Sequence, residues 1–261
     1  MSEIIKLSAS KSKLFDSCKK KYNYSYNLHL PKKQWDFHVL GKFIHAILEN
    51  FHRELLNGSK EPNNIIMTRV YKDAKEEYAE KLTKAMLDEA YKMIKSYLEY
   101  FASDIYDGVQ ILSVEQSFNI PITGHIVLNG FIDRVQIDKD QVLHVVDYKT
   151  AKSKQFLKND WFQLLTYAYA LLMDNPHLEV IRGSYMMLRH KFELISKDFT
   201  REEILSIKDQ YKDYAKNIES EKEFPANPTF LCNYCDFLDI CREGSLKVNK
   251  NNNRDFGETS W

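Results

Sequence analysis

Gly130-Phe131-Ile132-Asp133-Arg134 and Val146-Asp147-Tyr148-Lys149 decide how this chain is read. The two acids stand fourteen residues apart, each within or at the end of an apolar, β-branched run, and a lysine follows the second acid by two positions. Between the runs lies Asp138-Lys139-Asp140, a turn signal, so the segments 126–137 and 141–147 read as a hairpin. Opposing side chains on one face of such a pair lie roughly 5 Å apart, close enough to share a cation. Asp147 and Lys149 are two apart in extended chain and so face the same side. The carbonyl of Tyr148 between them is a further oxygen ligand for Mg²⁺ or Mn²⁺, and Lys149 can position a water or neutralise charge on a phosphate. The plain alternative is an ion pair on an ordinary surface hairpin, because short motifs are common.

Outward from the hairpin, residues 109–120 alternate as another strand and 180–189 read as a fourth. Phe162 to Met173 reads as a helix, stopped by Pro176. On the N-terminal side, Leu40, Phe43, Ile44, Ile47, Leu48, Phe51 and Leu55 recur at helical spacing between Val39 and Leu56, with Gly58 suited to the stop. Residues 11–26 read as one basic, aromatic helix, 65–101 as one or two long helices, and 201–221 as a charged helix. The pattern predicts an α/β (α+β) domain over 1–246: a helical part (11–105), a core of three strands, a helix and a strand (106–200), and a helix with a cysteine-rich loop (201–246). The Asn-rich, charged stretch 247–261 is expected to be a flexible tail.

Two further positions bear on the hairpin. His45 falls on or beside the apolar stripe of its helix, where a histidine is either a satisfied core group or a ligand. Gln163 and Tyr167 share a helix face, as a surface pair or as hydrogen-bonding partners of a lysine or a phosphate. In this order, helix histidine after Gly41, Gly-x-x-Asp, Asp-x-Lys and Gln-x-x-x-Tyr, the chain resembles the PD-(D/E)XK nuclease superfamily in its RecB-like branch. The resemblance covers most of the chain and implies a restriction-endonuclease-like core with a central mixed sheet. It makes His45, Asp133, Asp147 and the Tyr148 carbonyl metal ligands, with Lys149 catalytic and Gln163 and Tyr167 supporting it. Glu115 occupies the place of an acid often found one strand earlier; an exposed strand glutamate is the equal alternative.

The four cysteines are Cys18, Cys232, Cys235 and Cys241, one distant and three grouped. In a chain read as intracellular, metal binding is a better account than disulfides, and spacing alone leaves zinc and iron–sulfur open. The resemblance implies the latter. Some RecB-like nucleases, including AddB-type helicase–nuclease subunits and CRISPR-associated exonucleases, place one N-terminal and three C-terminal cysteines around a [4Fe–4S] cluster. Here Lys19 and Asp236 follow Cys18 and Cys235 where those families often have proline.

The totals set bounds. With 261 residues and 44% apolar content the chain can bury a sizeable core. Acids and bases balance at 37 each, so any groove for DNA must come from local clustering, such as Lys152, Lys154 and Lys158 after the Asp-x-Lys strand, or the lysines and tyrosines of 11–26. No run of eighteen apolar residues implies a membrane span, and the first residues lack a signal-peptide pattern, which gives the intracellular expectation. No Gly-x-x-x-x-Gly-Lys motif is present, so unwinding would need a helicase partner. The resulting expectation is a Mg²⁺- or Mn²⁺-dependent exonuclease on single-stranded DNA ends, 5′→3′ by resemblance, in CRISPR spacer processing or DNA repair. The competing expectation is a non-catalytic iron–sulfur scaffold subunit of a nuclease or integration complex.

Overall fold

The computed structural model describes residues 4–155, 157 and 159–255. In chain order it contains β1 (Ile5–Leu7), α1 (Ala9–Ser17), α2 (Lys19–Tyr22), α3 (Asp36–Leu56), α4 (Asn63–Glu77), α5 (Lys84–Phe101), β2 (Gln110–Pro121), β3 (Ile126–Ile137), β4 (Leu143–Lys149), α6 (Phe162–Asp174), β5 (Val180–Met187), β6 (Glu193–Thr200), α7 (Arg201–Ser220) and α8 (Arg242–Asp255). The six strands form one mixed sheet in the order β1-β3-β4-β5-β6, with β2 also on β3. The β4–β5 pair is parallel, with α6 between the strands in sequence, as a parallel connection requires.

Each strand feeds two cores because its side chains alternate. Val135, Val145, Ile181 and Tyr185 pack with α6 and α7 on one face. Their neighbours Val146, Tyr148 and Met186 pack with α3, α4 and α5 on the other. Fully burying such a side chain contributes about 1.5–3 kcal/mol, so these two cores fix the sheet between helical layers. This is the mixed α/β architecture of the restriction-endonuclease-like fold, with helices on both faces.

The sheet has a notch. Along one edge of β3, β2 pairs from Val127 to Ile137. The opposite edge is shared: β1 takes Ile126–Leu128, and β4 takes Arg134–Ile137. Between them, residues 129–133 of β3 have no strand partner on that side. Asp133 stands at the lip.

Three local features differ from the sequence expectation, and one choice it left open is resolved. The basic helix expected over 11–26 breaks at Cys18, whose extended backbone (φ −165°, ψ 106°) ends α1 and starts α2, its sulfur accepting the Lys21 N–H. The stretch 65–101, read as one or two helices, is two: it divides between Tyr78 and Thr83, where Thr83 caps α5. Strands β1 and β6 carry no clear sequence signal: β1 has only three residues, and β6 is an edge strand whose Glu, Lys and Asp obscure its alternation. Finally, α8 runs to Asp255, into the stretch expected to be a loose tail; 256–261 lie outside the described residues.

Candidate active site at the sheet notch

Three acids come from three consecutive strands of the sheet. Asp133 on β3 lies between the pairs Val114↔Arg134 and Gln116↔Ile132, which puts Glu115 of β2 across from it. Glu115 has a left-handed backbone (φ 44°), uncommon for a residue with a side chain and worth a functional account. On the other side the ladder to β4 ends at Arg134↔Val146, one step short of Asp147. There the Asp133 carboxylate replaces a backbone carbonyl and accepts the Tyr148 N–H at 2.7 Å. Upstream, Gly130 allows close cross-strand packing: a Cβ there would lie 2.6 Å from the Phe118 ring.

Helix α3 brings His45 to the notch. Gly41, one turn earlier, lets α3 approach the end of β4, since a Cβ would stand 3.3 Å from Thr150 Oγ1. His45 Nε2 donates to the Tyr148 carbonyl at 3.1 Å, and Nδ1 lies 3.5 Å from Asp133 Oδ2. Donor atoms of His45, Glu115 and Asp133 all lie within 4.8 Å of one another, a set able to hold a metal ion. Asp147 is not in that trio. It is 2% exposed and sits behind it, with Oδ2 2.6 Å from Lys149 Nζ and Oδ1 accepting from Gln163 Nε2 at 2.8 Å. Gln163 on α6 ties the group together, its carbonyl accepting from Lys149 at 3.1 Å and its amide donating to Tyr167 Oη at 2.7 Å. A carboxylate has about four lone-pair sites, so Asp147 keeps acceptor capacity beyond these two contacts.

The charges follow from this arrangement. Burial pulls the His45 imidazole down, but Asp133 and then Asp147 outweigh it and raise it to about 9. Burial pushes the Asp133 carboxyl up, yet His45, the Tyr148 N–H and Lys149 bring it below the usual carboxylate range. Asp147 moves the other way, raised by burial and by Asp133 despite Lys149. Glu115 is pushed up to about 7 by burial and the adjoining Asp133. Carboxylates crowded this way gain from a shared cation, and hard oxygen donors with one imidazole suit Mg²⁺ or Mn²⁺.

The sequence residues His45, Glu115, Asp133, Asp147, Tyr148, Lys149, Gln163 and Tyr167 thus converge. One contact has no signature in the sequence: the Lys149 ammonium lies 5.2 Å from the ring centroid of Tyr185, which is the partner of Asp147 in the parallel β4–β5 ladder. Other expectations fare differently. Lys154 is paired with Glu193 at 2.6 Å, and Lys158 lies outside the described residues. Tyr22 is 2% exposed and packs on Phe15 and Phe224, so it serves the core and not a base.

A model of the PD-(D/E)XK nuclease superfamily matches residues 6–242. The chain belongs to the PD-(D/E)XK nuclease superfamily. Among curated relatives, this chain is 25% identical over 186 residues to an ATP-dependent helicase/deoxyribonuclease subunit of Streptococcus pyogenes serotype M3, and equally to that of serotype M1. The match takes in 66% of this chain and 17% of those proteins, so the chain spans about a sixth of the relatives it matches. A crystal structure of a Eubacterium rectale protein assigned, without proof of activity, as an exonuclease superposes with a TM-score of 0.55 at 13% identity, covering 90% of this chain and 87% of the other, and shows the shared fold.

Apart from the notch, the four free cysteines, Cys18, Cys232, Cys235 and Cys241, line a single cavity. Cys18 comes from the α1–α2 break; the other three come from two 3₁₀ turns (Phe230–Tyr234, Leu238–Ile240) and their ends. Gly244 leaves space beside two of them: a Cβ there would stand 3.4 Å from Cys241 Sγ and 3.6 Å from Cys232 Sγ. Burial pushes the Cys235 and Cys241 thiols up. Ion pairs Lys19–Glu221 (2.5 Å), Lys20–Glu243 (2.7 Å) and Lys33–Asp239 (2.7 Å) connect the N-terminal helices to this region. Trp35, at the start of α3, donates to Asp236 at 2.8 Å.

Proposed function

We propose that the chain is a Mg²⁺- or Mn²⁺-dependent deoxyribonuclease acting exonucleolytically, with single-stranded DNA ends as its preferred substrate. The observation that carries this reading is the continuous array from Glu115 and Asp133 through His45 and the Tyr148 carbonyl to Asp147 and Lys149. In it, His45, Asp133, Asp147 and the Tyr148 carbonyl would hold the cation, with Glu115 as an additional carboxylate from β2. A divalent cation bound there supplies Lewis acidity and an activated water. Lys149, kept charged by Asp147, orients the attacking group and offsets negative charge developing on phosphate. Gln163 fixes both members of that ion pair, and Tyr167 fixes Gln163. Asp133 holds the Tyr148 peptide so that its carbonyl faces His45.

The cysteine cavity is read as the seat of a [4Fe–4S] cluster. All four cysteines line one cavity, and four thiolates suit an iron–sulfur cluster as well as zinc; the resemblance to iron–sulfur RecB-like nucleases is what favours the cluster. The cluster would join the two ends of the domain. The streptococcal relatives named as helicase/deoxyribonuclease subunits make a helicase a reasonable partner for this chain too, in repair or recombination or in CRISPR spacer processing with an integrase-type partner.

The test is digestion of end-labelled single- and double-stranded DNA with and without Mn²⁺, on protein prepared anaerobically with its visible spectrum recorded. Asp147→Ala and Lys149→Ala should abolish metal-dependent degradation while leaving the fold intact. A wild-type protein that cuts no DNA with either cation would move the chain to the non-catalytic scaffold reading. Zinc by elemental analysis, without a brown chromophore, would overturn the cluster assignment alone.

A further inference from the structure

One lip of the notch, residues 129–133 of β3, carries an aromatic ring in the open. Phe131 is 60% exposed, level with Tyr91 as the most exposed large apolar side chain among the described residues. It stands in mid-strand, two residues before Asp133. Ile132, between them, packs in the core with α6 and α7. Phe131 and Asp133 therefore both turn to the other side of the sheet, where α3 brings His45. Two residues of strand span about 7 Å, roughly the reach of one nucleotide in an extended chain. Carried three steps past Arg134↔Val146, the β3–β4 register would set Lys149 against Phe131. The ring and the ammonium thus belong to opposite lips.

The surface leading up to Phe131 is open too. On this side of the sheet the α3–α5 layer covers Val146, Tyr148 and Met186. It leaves bare the rows that precede Asp133. Ser117 of β2 lies across from Phe131, and Asn119 across from Asn129. Farther on, β1 sets Lys6 beside Val127, and the Lys11 ammonium donates to the Lys6 carbonyl at 2.8 Å. Ser117, Asn119 and Lys6 are exposed. None of these rows holds a carboxylate; the first acids met are Glu115 and Asp133, which face the proposed cation. An isolated exposed phenylalanine is ordinary on a protein surface. A ring at the lip of a cleft, between short polar side chains and next to a set of metal-binding groups, matches a single nucleic-acid strand: rings stack on bases of any sequence, and lysines follow phosphates.

We infer that Phe131 is the stacking platform for the base of the nucleotide next to the scissile phosphate, and that it sets the preference for unpaired DNA. The inference rests on the deoxyribonuclease reading above and names a substrate contact for it. With a base on Phe131, the phosphate one nucleotide along falls at Asp133 and the cation, across the notch from Lys149. In the other direction the strand runs over Ser117 and Asn119 toward Lys6, which meets a phosphate further along. A base inside a duplex has both faces covered by its neighbours and cannot lie on the ring; an unpaired base can.

Fluorescence anisotropy with labelled oligo(dT) and a blunt duplex tests this on the full chain, with Ca²⁺ in place of Mn²⁺ and the DNA checked to be uncut. Phe131→Ala should weaken oligo(dT) about tenfold and the duplex by less than about twofold. Phe131→Trp should bind like wild type, and Phe131→Leu, which keeps apolar bulk without an aromatic face, should bind like Phe131→Ala. One abasic residue walked along the oligonucleotide should cost the wild type about tenfold at a single position and cost Phe131→Ala nothing there. In Mn²⁺ the ratio of single- to double-stranded cleavage should fall about tenfold in Phe131→Ala, with melting temperature and Mn²⁺ affinity unmoved. The inference is overturned by a wild type that binds no single strand, by Phe131→Ala or Phe131→Leu binding like wild type, by equal losses on single strand and duplex, or by abasic costs that are the same with and without the ring. A wild type that binds single strands through Phe131 yet cuts none keeps the platform and loses the nuclease; cleavage indifferent to Phe131 keeps the nuclease and loses the platform.

Discussion

The sheet notch and the cysteine cavity are both clusters of would-be ligands, but they are held in different ways. At the notch every donor stands on regular structure: β2, β3, β4 and two packed helices, with the acids cross-linked by His45, Lys149, Gln163 and a backbone N–H. Around the cysteines the chain runs in short 3₁₀ turns, and the N-terminal helices are tied to it largely by surface ion pairs, each worth little in water. The first cluster is preorganised by the fold. On the proposed reading a bound group would hold the second, which would then contribute stability where the first would contribute chemistry.

The sharpest way to break that distinction is Asp147→Asn. It should reduce metal-dependent DNA cleavage by about 1000-fold or more while shifting the melting temperature little, because the amide keeps the size and one acceptor for Gln163. Cys232→Ser should do the reverse. Loss of a link joining residue 18 to 232–241 is expected to cost about 2–4 kcal/mol, as for long covalent cross-links, read as a lower denaturation midpoint with Mn²⁺ affinity at the notch preserved. If Cys232→Ser instead left stability intact and removed cleavage, the two clusters would be one functional unit. Next in size, Glu115→Gln should weaken Mn²⁺ binding about tenfold by isothermal titration, since one carboxylate of the trio is lost.

The smallest expected effect is a pH dependence of stability in EDTA. Glu115 at about 7 and His45 at about 9 both lie above their ordinary values of 4.5 and 6.5. The folded state therefore binds more protons than the unfolded one, and that stabilisation is lost as pH rises through about 7 and then about 9. Melting temperature should fall in two steps, from 4.5 to about 7 for Glu115 and from 6.5 to about 9 for His45. Mn²⁺ should offset the fall, and Glu115→Gln should remove the lower step. A flat profile would mean that neither group is held in its protonated form.

Much of this was legible because β-branched runs around Asp133 and Asp147 could hardly be anything but strands, and the Asp138-Lys139-Asp140 turn set them antiparallel. His45, Gln163 and Tyr167 followed from helical spacing plus the family pattern. Glu115 could be located but not given a neighbour, because nothing local fixes the β2–β3 register that sets it across from Asp133. β1 was invisible for a related reason: three residues acquire meaning only from a partner strand more than a hundred positions away. The break at Cys18 was hidden inside lysines and tyrosines that suit a continuous helix. Arg134 reads in sequence as an ordinary strand arginine; that it is buried and donates to the hydroxyls of Tyr97 and Tyr106 is a property of the packed face alone.

Because β1 and β4 dock side by side on the same margin of β3 without meeting, the gap in the sheet is a seam framed by main chain. Its width is set by where two strands stop and by the twist between them, not by the bulk of rim side chains. Substitution around the mouth should therefore retune what enters far more readily than it closes the entrance, whereas a single-residue insertion between Asn129 and Asp133 would turn Asp133 to the other face and erase the seam's chemistry in one step.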